Sequence, residues 1–128
     1  MLFFYPEGGS WQTSTSVMYA TTSPKSDEVT KTMAMLMAYD SSQFMKGEAA
    51  VKISDDEPMK TGDNKPAFVR RFIYSQYEAI GYIDEERIVV MLVLSCRTEE
   101  DFKAAYPAFK ELVRSYFFVT ANVKIDGK

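Results

Sequence analysis

Histidine is absent from this chain, and cysteine occurs once, at Cys96. Without an imidazole there is no Ser-His-Asp or Cys-His nucleophile, no HExxH zinc site and no histidine pH switch. A lone thiol excludes an internal disulfide within these residues and leaves the redox compartment undetermined. Long apolar runs are missing too: the longest, IVVMLVL from Ile88 to Leu94, is far short of the roughly 20 residues a membrane-spanning helix needs. No block of one charge sign exists either. Fifteen basic and eighteen acidic residues interleave to a formal charge of −3, and only Arg70 and Arg71 approach a basic patch. Nucleic-acid binders neutralise several phosphates with a basic face, so nucleic acid is not an expected partner. The N-terminal LFFY is too short, and lacks the basic flank, for a signal peptide. It reads as a strand whose upstream neighbour is missing, which predicts that a segment precedes it.

What remains suits one globular domain over residues 1–128. Hydrophobic residues make up 46% and charged residues 26% of the chain, ordinary globular usage. A chain of this size removes roughly two thirds of its unfolded surface from water on folding.

Residues 6–16, PEGGSWQTSTS, are dense in turn formers and predict a loop. Val17 to Thr21 alternates as a strand does. Ser26, Asp27 and Glu28 supply a helix cap and acids for its positive end, so a helix is expected from Asp27 to Lys46. Val29, Met33, Leu36, Met37 and Phe44 make its apolar stripe, and Gly47 ends it. Met35 and Met45 point elsewhere. Asp40 falls within the stripe, so either the helix breaks near it or a buried carboxylate needs a hydrogen-bond partner.

Glu48 to Ser54 reads as a short strand, and DDEPMKTGDNKP from Asp55 as an exposed turn region. Ala67–Tyr74 and Tyr77–Ile83 predict two strands or one bent strand around Ser75 and Gln76. Ile88–Ser95 follows a polar turn at residues 84–86. Apolar at consecutive positions, it predicts a central strand covered on both faces. Thr98 with Asp101 resembles a capping box. Phe102, Ala105, Tyr106, Phe109, Leu112, Val113 and Tyr116 then recur at helical spacing, with Pro107 expected to kink or break the helix near Tyr106. Two amphipathic helices and a sheet buried on both faces imply an α+β fold in which an antiparallel sheet lies between helices, an α/β/α sandwich.

The closing run YEAIGYIDEERIVVMLVLSCRTEEDFKAAYPAFKELVRSYFF and the opening FFYPEGGSWQTSTSVMYA resemble bacterial PsbP-like domains of uncharacterised function. In those a hairpin ends in a leucine-serine strand and leads into a helix with a proline-aromatic step. The resemblance implies the α/β/α fold shared with a photosystem assembly subunit, a Ran-binding nuclear factor and bacterial effector chaperones. It also implies an extracytoplasmic location and work through a protein surface. No functional residue transfers from these relatives, and fold alone does not license function.

Among candidate sites, Asp55, Asp56, Glu57 and Asp63 offer hard oxygen ligands for a divalent ion. The spacing of a calcium loop is absent, and a solvated turn is the commoner meaning of such a cluster. Asp84, Glu85 and Glu86 read as a hairpin turn ahead of catalytic acids. Arg97 beside Cys96 would lower a thiol pKa, yet a lone cysteine on a buried strand is usually structural. No catalytic constellation and no cofactor motif is found. Aromatic residues are the best binding material: Trp11 in the loop, with Tyr74, Tyr77 and Tyr82 near strand ends. The leading expectation is a non-catalytic binding or assembly module that meets a protein partner or small ligand. The alternative is a carboxylate-based or divalent-ion-dependent hydrolase. The apolar LFFY edge leaves homo-oligomerisation open.

Overall fold

The computed structural model describes residues 2–4, 16–26, 28, 30–47 and 50–118. Their elements run β1 (Leu2–Phe4), β2 (Ser16–Pro24), α1 (Met33–Gly47), β3 (Lys52–Asp55), β4 (Met59–Lys60), β5 (Pro66–Ile73), β6 (Tyr77–Asp84), β7 (Ile88–Cys96) and α2 (Glu99–Ser115). Among the described residues, seven strands form one sheet in the order β1-β2-β7-β6-β5-β3, with β4 also on β5. Every pairing is antiparallel. The class is α+β.

Strand periodicity divides the core in two. Successive strand side chains point to opposite faces, so Val69, Ala79, Ile83, Val90, Leu92 and Leu94 pack against Phe102, Phe109 and Val113 of α2. Their sequence neighbours Phe72, Ile80, Tyr82, Val89 and Val93 pack against Leu36 of α1, with Met33, Met37 and Phe44 beside them. Strand β7 is central as expected, paired with β2 on one side and β6 on the other. Its unbroken apolar run follows from cover on both faces. A Cβ at Gly81 would meet Phe109 at 3.7 Å and Val113 at 3.6 Å, ordinary van der Waals contacts, so α2 packs directly over this position.

Several boundaries differ from the sequence expectation. Helix α1 starts at Met33, not Asp27, because Thr32 rather than Ser26 caps it. The Thr32 hydroxyl accepts from the Met35 amide at 3.2 Å, and the Thr32 carbonyl receives the first helical bond, from Leu36, at 3.0 Å. Thr30 turns back to the Pro24 carbonyl at 3.4 Å. Asp27 and Val29 lie outside the described residues. The acidic segment after Asp55 is more than a turn: the Asp56 amide bonds the Val69 carbonyl at 2.9 Å, and β4 resumes pairing with β5 at Met59 and Lys60. A turn then closes from Thr61 to Lys65, with Asn64 at φ 65°, a left-handed position that asparagine tolerates.

Helix α2 is capped as expected: the Thr98 hydroxyl accepts from the Asp101 amide at 3.1 Å. Pro107 does not break it; the helix runs unbroken from Glu99 to Ser115. Pro107 and Lys103 are both exposed, so the Lys103 carbonyl that Pro107 cannot serve faces water instead of the core.

Candidate functional site

The β5–β6 turn reverses the chain at Ser75 and Gln76, where the Tyr74 amide bonds the Gln76 carbonyl at 2.9 Å. Tyr74 and Tyr77 leave this turn on opposite faces of the sheet: Tyr74 joins the α1-side cluster and Tyr77 the α2-side cluster. Each borders a depression.

On the α1 side, Tyr74, Phe44, Gln43 and Gly47 line a shallow groove of about 290 Å³. The rings of Phe44 and Tyr74 sit 5.4 Å apart, and Phe44 stacks on Phe72 at 4.2 Å. The Tyr74 hydroxyl donates to Glu78 Oε2 at 2.6 Å, and Ser95 Oγ lies 2.9 Å from that same oxygen. On the α2 side, Tyr77, Ile73, Arg71, Glu99, Phe102 and Lys103 enclose a cleft of about 50 Å³. It adjoins a second depression of about 190 Å³ through the shared Arg71, Phe102 and Lys103, extended by Tyr106, Pro107 and Lys110. A roomier hollow of about 380 Å³ lies between β2 and the second half of α2; among the described residues its one charged wall residue, Glu111, is paired with Arg114 at 2.8 Å.

Electrostatics fix the α2-side cleft. The Arg71 guanidinium lies 5.1 Å from the Phe102 ring centre and 4.6 Å from that of Tyr106, within cation–π range. Asp56 Oδ2 accepts from Arg71 Nε at 3.0 Å and from the Tyr106 hydroxyl. Burial, aided by the Asp56 carboxylate, pushes the Tyr106 hydroxyl up to about 12, so it stays a donor at neutral pH.

Of the aromatic residues picked from sequence, Trp11 lies outside the described residues. Tyr74 and Tyr77 border the grooves just described. Tyr82 does not reach the surface: it is 0% exposed, and its hydroxyl donates to Asp40 at 2.8 Å. Its place as a binding residue is therefore corrected to a core role, with Asp40 finding the buried partner its position demanded. Met35 and Met45 are exposed, at 39% and 57%.

The acidic candidates are spread among cations. Asp55 accepts from Arg70 at 2.7 and 3.1 Å, and those bonds hold its carboxyl below the usual range. Asp56 belongs to Arg71. Asp63 accepts from the Thr61 hydroxyl at 2.6 Å and pairs with Lys65 at 3.3 Å; chiefly through the Thr61 bond, its carboxyl is lowered to about 2. Glu57 is exposed. Among the described residues no three His, Cys, Asp or Glu side chains come together as a metal site. Glu85 is not a free turn acid: it is buried and held by Lys65 and Tyr116. Cys96 is 1% exposed, and burial pushes its thiol up, contrary to an Arg97-activated nucleophile.

The adjacent Arg70 and Arg71 do not form a basic patch, because one strand sends them to opposite faces. Arg70 reaches Asp55 and, at 3.2 Å, the Ser41 hydroxyl of α1, while Arg71 reaches α2. Sequence reasoning missed Arg71, Lys103, Tyr106 and Lys110 as neighbours in one cleft. The helical spacing 103, 106, 107, 110 was legible; the arginine brought to it by β5 was not.

Asp40 sets a pH dependence. Its carboxyl is raised above 3.8 by burial, against the lowering effect of the Tyr82 bond. A raised carboxyl favours folding below the unfolded pKa, and that share is lost as pH rises through the folded value. Asp40→Asn keeps a carbonyl acceptor for Tyr82 and cannot ionise. Its stability relative to wild type should therefore increase from pH 3.5 upward and then level off. Denaturant midpoints across pH 3–7 read this, and a difference independent of pH would contradict it.

No protein-family profile matches the sequence, and no curated protein is similar to it. Among solved structures the fold is similar to that of a protein of unknown function from Pseudomonas aeruginosa that carries the label of a candidate regulator. The TM-score is 0.71 over 93% of this chain and 83% of that one, at 12% identity. At that identity the likeness is one of fold alone.

Proposed function

We propose that the chain is a non-catalytic binding or assembly module of the PsbP-like α/β/α type, extracytoplasmic as its family resemblance suggests. It meets a protein or small ligand at the end of the sheet where the β5–β6 turn stands between two grooves. The observation that carries this reading is the placement of Tyr74 and Tyr77. Three residues apart, they open into depressions on opposite faces, each combining an apolar ring with convergent polar groups, the usual make-up of a ligand site. Of the acidic candidates, Asp55, Asp56 and Asp63 are meanwhile held in ion pairs.

A thermal-shift screen of the protein with divalent ions, sugars, lipids and peptides tests the reading. A ligand at a hundred times its Kd adds about 2.7 kcal/mol, a rise of several degrees. The expected result is a peptide or small-molecule hit that Tyr77→Ala or Phe44→Ala abolishes while circular dichroism stays native. A hit untouched by both substitutions would move the site elsewhere, and a divalent-ion hit would instead favour the carboxylate hydrolase. Self-assembly is a second reading, favoured by the position of β1 at the sheet edge among the described residues. A mass that does not rise with concentration in light scattering would remove it.

A further inference from the structure

Along the outer side of α2, Lys103, Tyr106, Pro107 and Lys110 follow i, i+3, i+4, i+7 spacing and line one depression with Arg71. The two lysines stand about 10 Å apart along the helix axis. The Lys103 side chain is 75% exposed, and its ion pair with Glu99 at 3.6 Å is a loose surface contact that exchanges readily. The Lys110 ammonium sits 5.6 Å from the centre of the Tyr106 ring. Between them Pro107 has no N–H for the Lys103 carbonyl, so the helix leaves that acceptor unpaired. In a chain of net charge −3, this strip presents two lysines at its ends, an aromatic–proline floor and one open acceptor.

From this arrangement we infer that the α2 strip is the binding site of an acidic peptide segment of a protein partner. This rests on the binding-module reading and names the ligand class of its α2-side groove. In polyproline II conformation, carboxylates three residues apart share a face and span about 9 Å, which matches the lysine spacing. The intervening side chain lies on Tyr106 and Pro107, and a peptide N–H donates to the Lys103 carbonyl. A free phosphate is too small to meet both ammoniums about 10 Å apart, and a phosphodiester backbone has no donor for that acceptor, which is what favours a peptide.

The test is amide chemical-shift titration of the ¹⁵N-labelled protein with acetyl-Glu-Pro-Val-Glu-amide. Its Gln and Lys analogues, inorganic phosphate and a short oligothymidylate serve as comparisons. The Glu peptide is expected to shift the amides of Tyr77, Lys103, Tyr106 and Lys110, to bind more weakly as salt rises, and to outbind every comparison. Lys103→Glu with Lys110→Glu, both at solvent-facing positions, should lower its affinity about tenfold or more with the fold intact. Tighter binding of phosphate, oligothymidylate or the Lys peptide overturns the inference, as does undiminished binding to the double variant. Shifts confined to the Phe44–Tyr74 groove overturn it while sparing the binding-module reading. Silence with all three peptides overturns the inference, and silence across the broader ligand screen as well overturns both.

Discussion

Phe109→Ala is expected to cost the domain about 3–5 kcal/mol, the usual range for removing a buried phenyl ring. Phe109 is 0% exposed and packs over Gly81, with its ring edge 3.7 Å from the position a Gly81 Cβ would take. Across the helix surface it lies 5.8 Å from the Tyr106 ring. Gly81 brings no side chain that could move into the vacated space, so the cavity stays largely open. With total stabilities of about 5–15 kcal/mol in domains of this kind, such a loss lowers Tm by roughly 10–20 °C. Denaturant melts followed by circular dichroism measure it. A loss below about 1 kcal/mol would mean that α2 is not anchored through this ring. Because Tyr106 leans on Phe109, the same variant should also loosen the α2-side cleft and weaken any ligand found there.

The second large effect lies at the opposite end of the sheet. The Glu85 side chain is only 5% exposed. One oxygen accepts from Lys65 and the other from the Tyr116 hydroxyl at 2.7 Å. This ties the end of α2 to the β4–β5 turn, and the Gly62 amide adds a bond to the Tyr116 carbonyl at 2.7 Å. A Cβ at Gly62 would stand 2.9 Å from that carbonyl oxygen, so the close approach depends on glycine. Lys65→Met removes the carboxylate's counter-charge and leaves it the Tyr116 hydroxyl, while the Lys25 ammonium stays on the Glu85 carbonyl and Asp84. The expected cost is about 2–3 kcal/mol. That is below the figure for a fully buried pair, because the ammonium is 34% exposed. Adding Glu85→Leu should restore most of the loss, since the burden is an unpaired charge and not a missing contact. A double-mutant cycle by denaturant melts reads both values. A single-variant loss within about 0.5 kcal/mol would reduce the bridge to an ordinary surface pair.

Legibility in the sequence followed the range of the interactions involved. The α2 pattern was complete at sequence level: Phe102, Ala105, Tyr106, Phe109, Leu112, Val113 and Tyr116 all join one core cluster, because a single helix face decides which residues meet. The start of α1 was misplaced because Ser26 and Thr32 are both good caps locally. Choosing between them fell to the Thr32 bonds and to the Thr30 contact with Pro24. Pro107 misled in the other direction, since its local penalty is real but falls on the solvent side.

By itself the sequence determined that these 128 residues hold no imidazole and no internal disulfide. It also determined the α+β class, the buried central strand and the two helical faces, all of which follow from composition and from periods of 2 and 3.6. Only the tertiary structure decided what those faces mean for function. Strand alternation sent Arg70 and Arg71 apart, and Tyr74 and Tyr77 to different grooves. Register placed Tyr82 under Asp40, and pairing of β3 and β4 with β5 put the acidic segment within reach of arginines about fifteen residues away. Contacts at such separations depend on which strand lies beside which, and no local pattern in the chain records that.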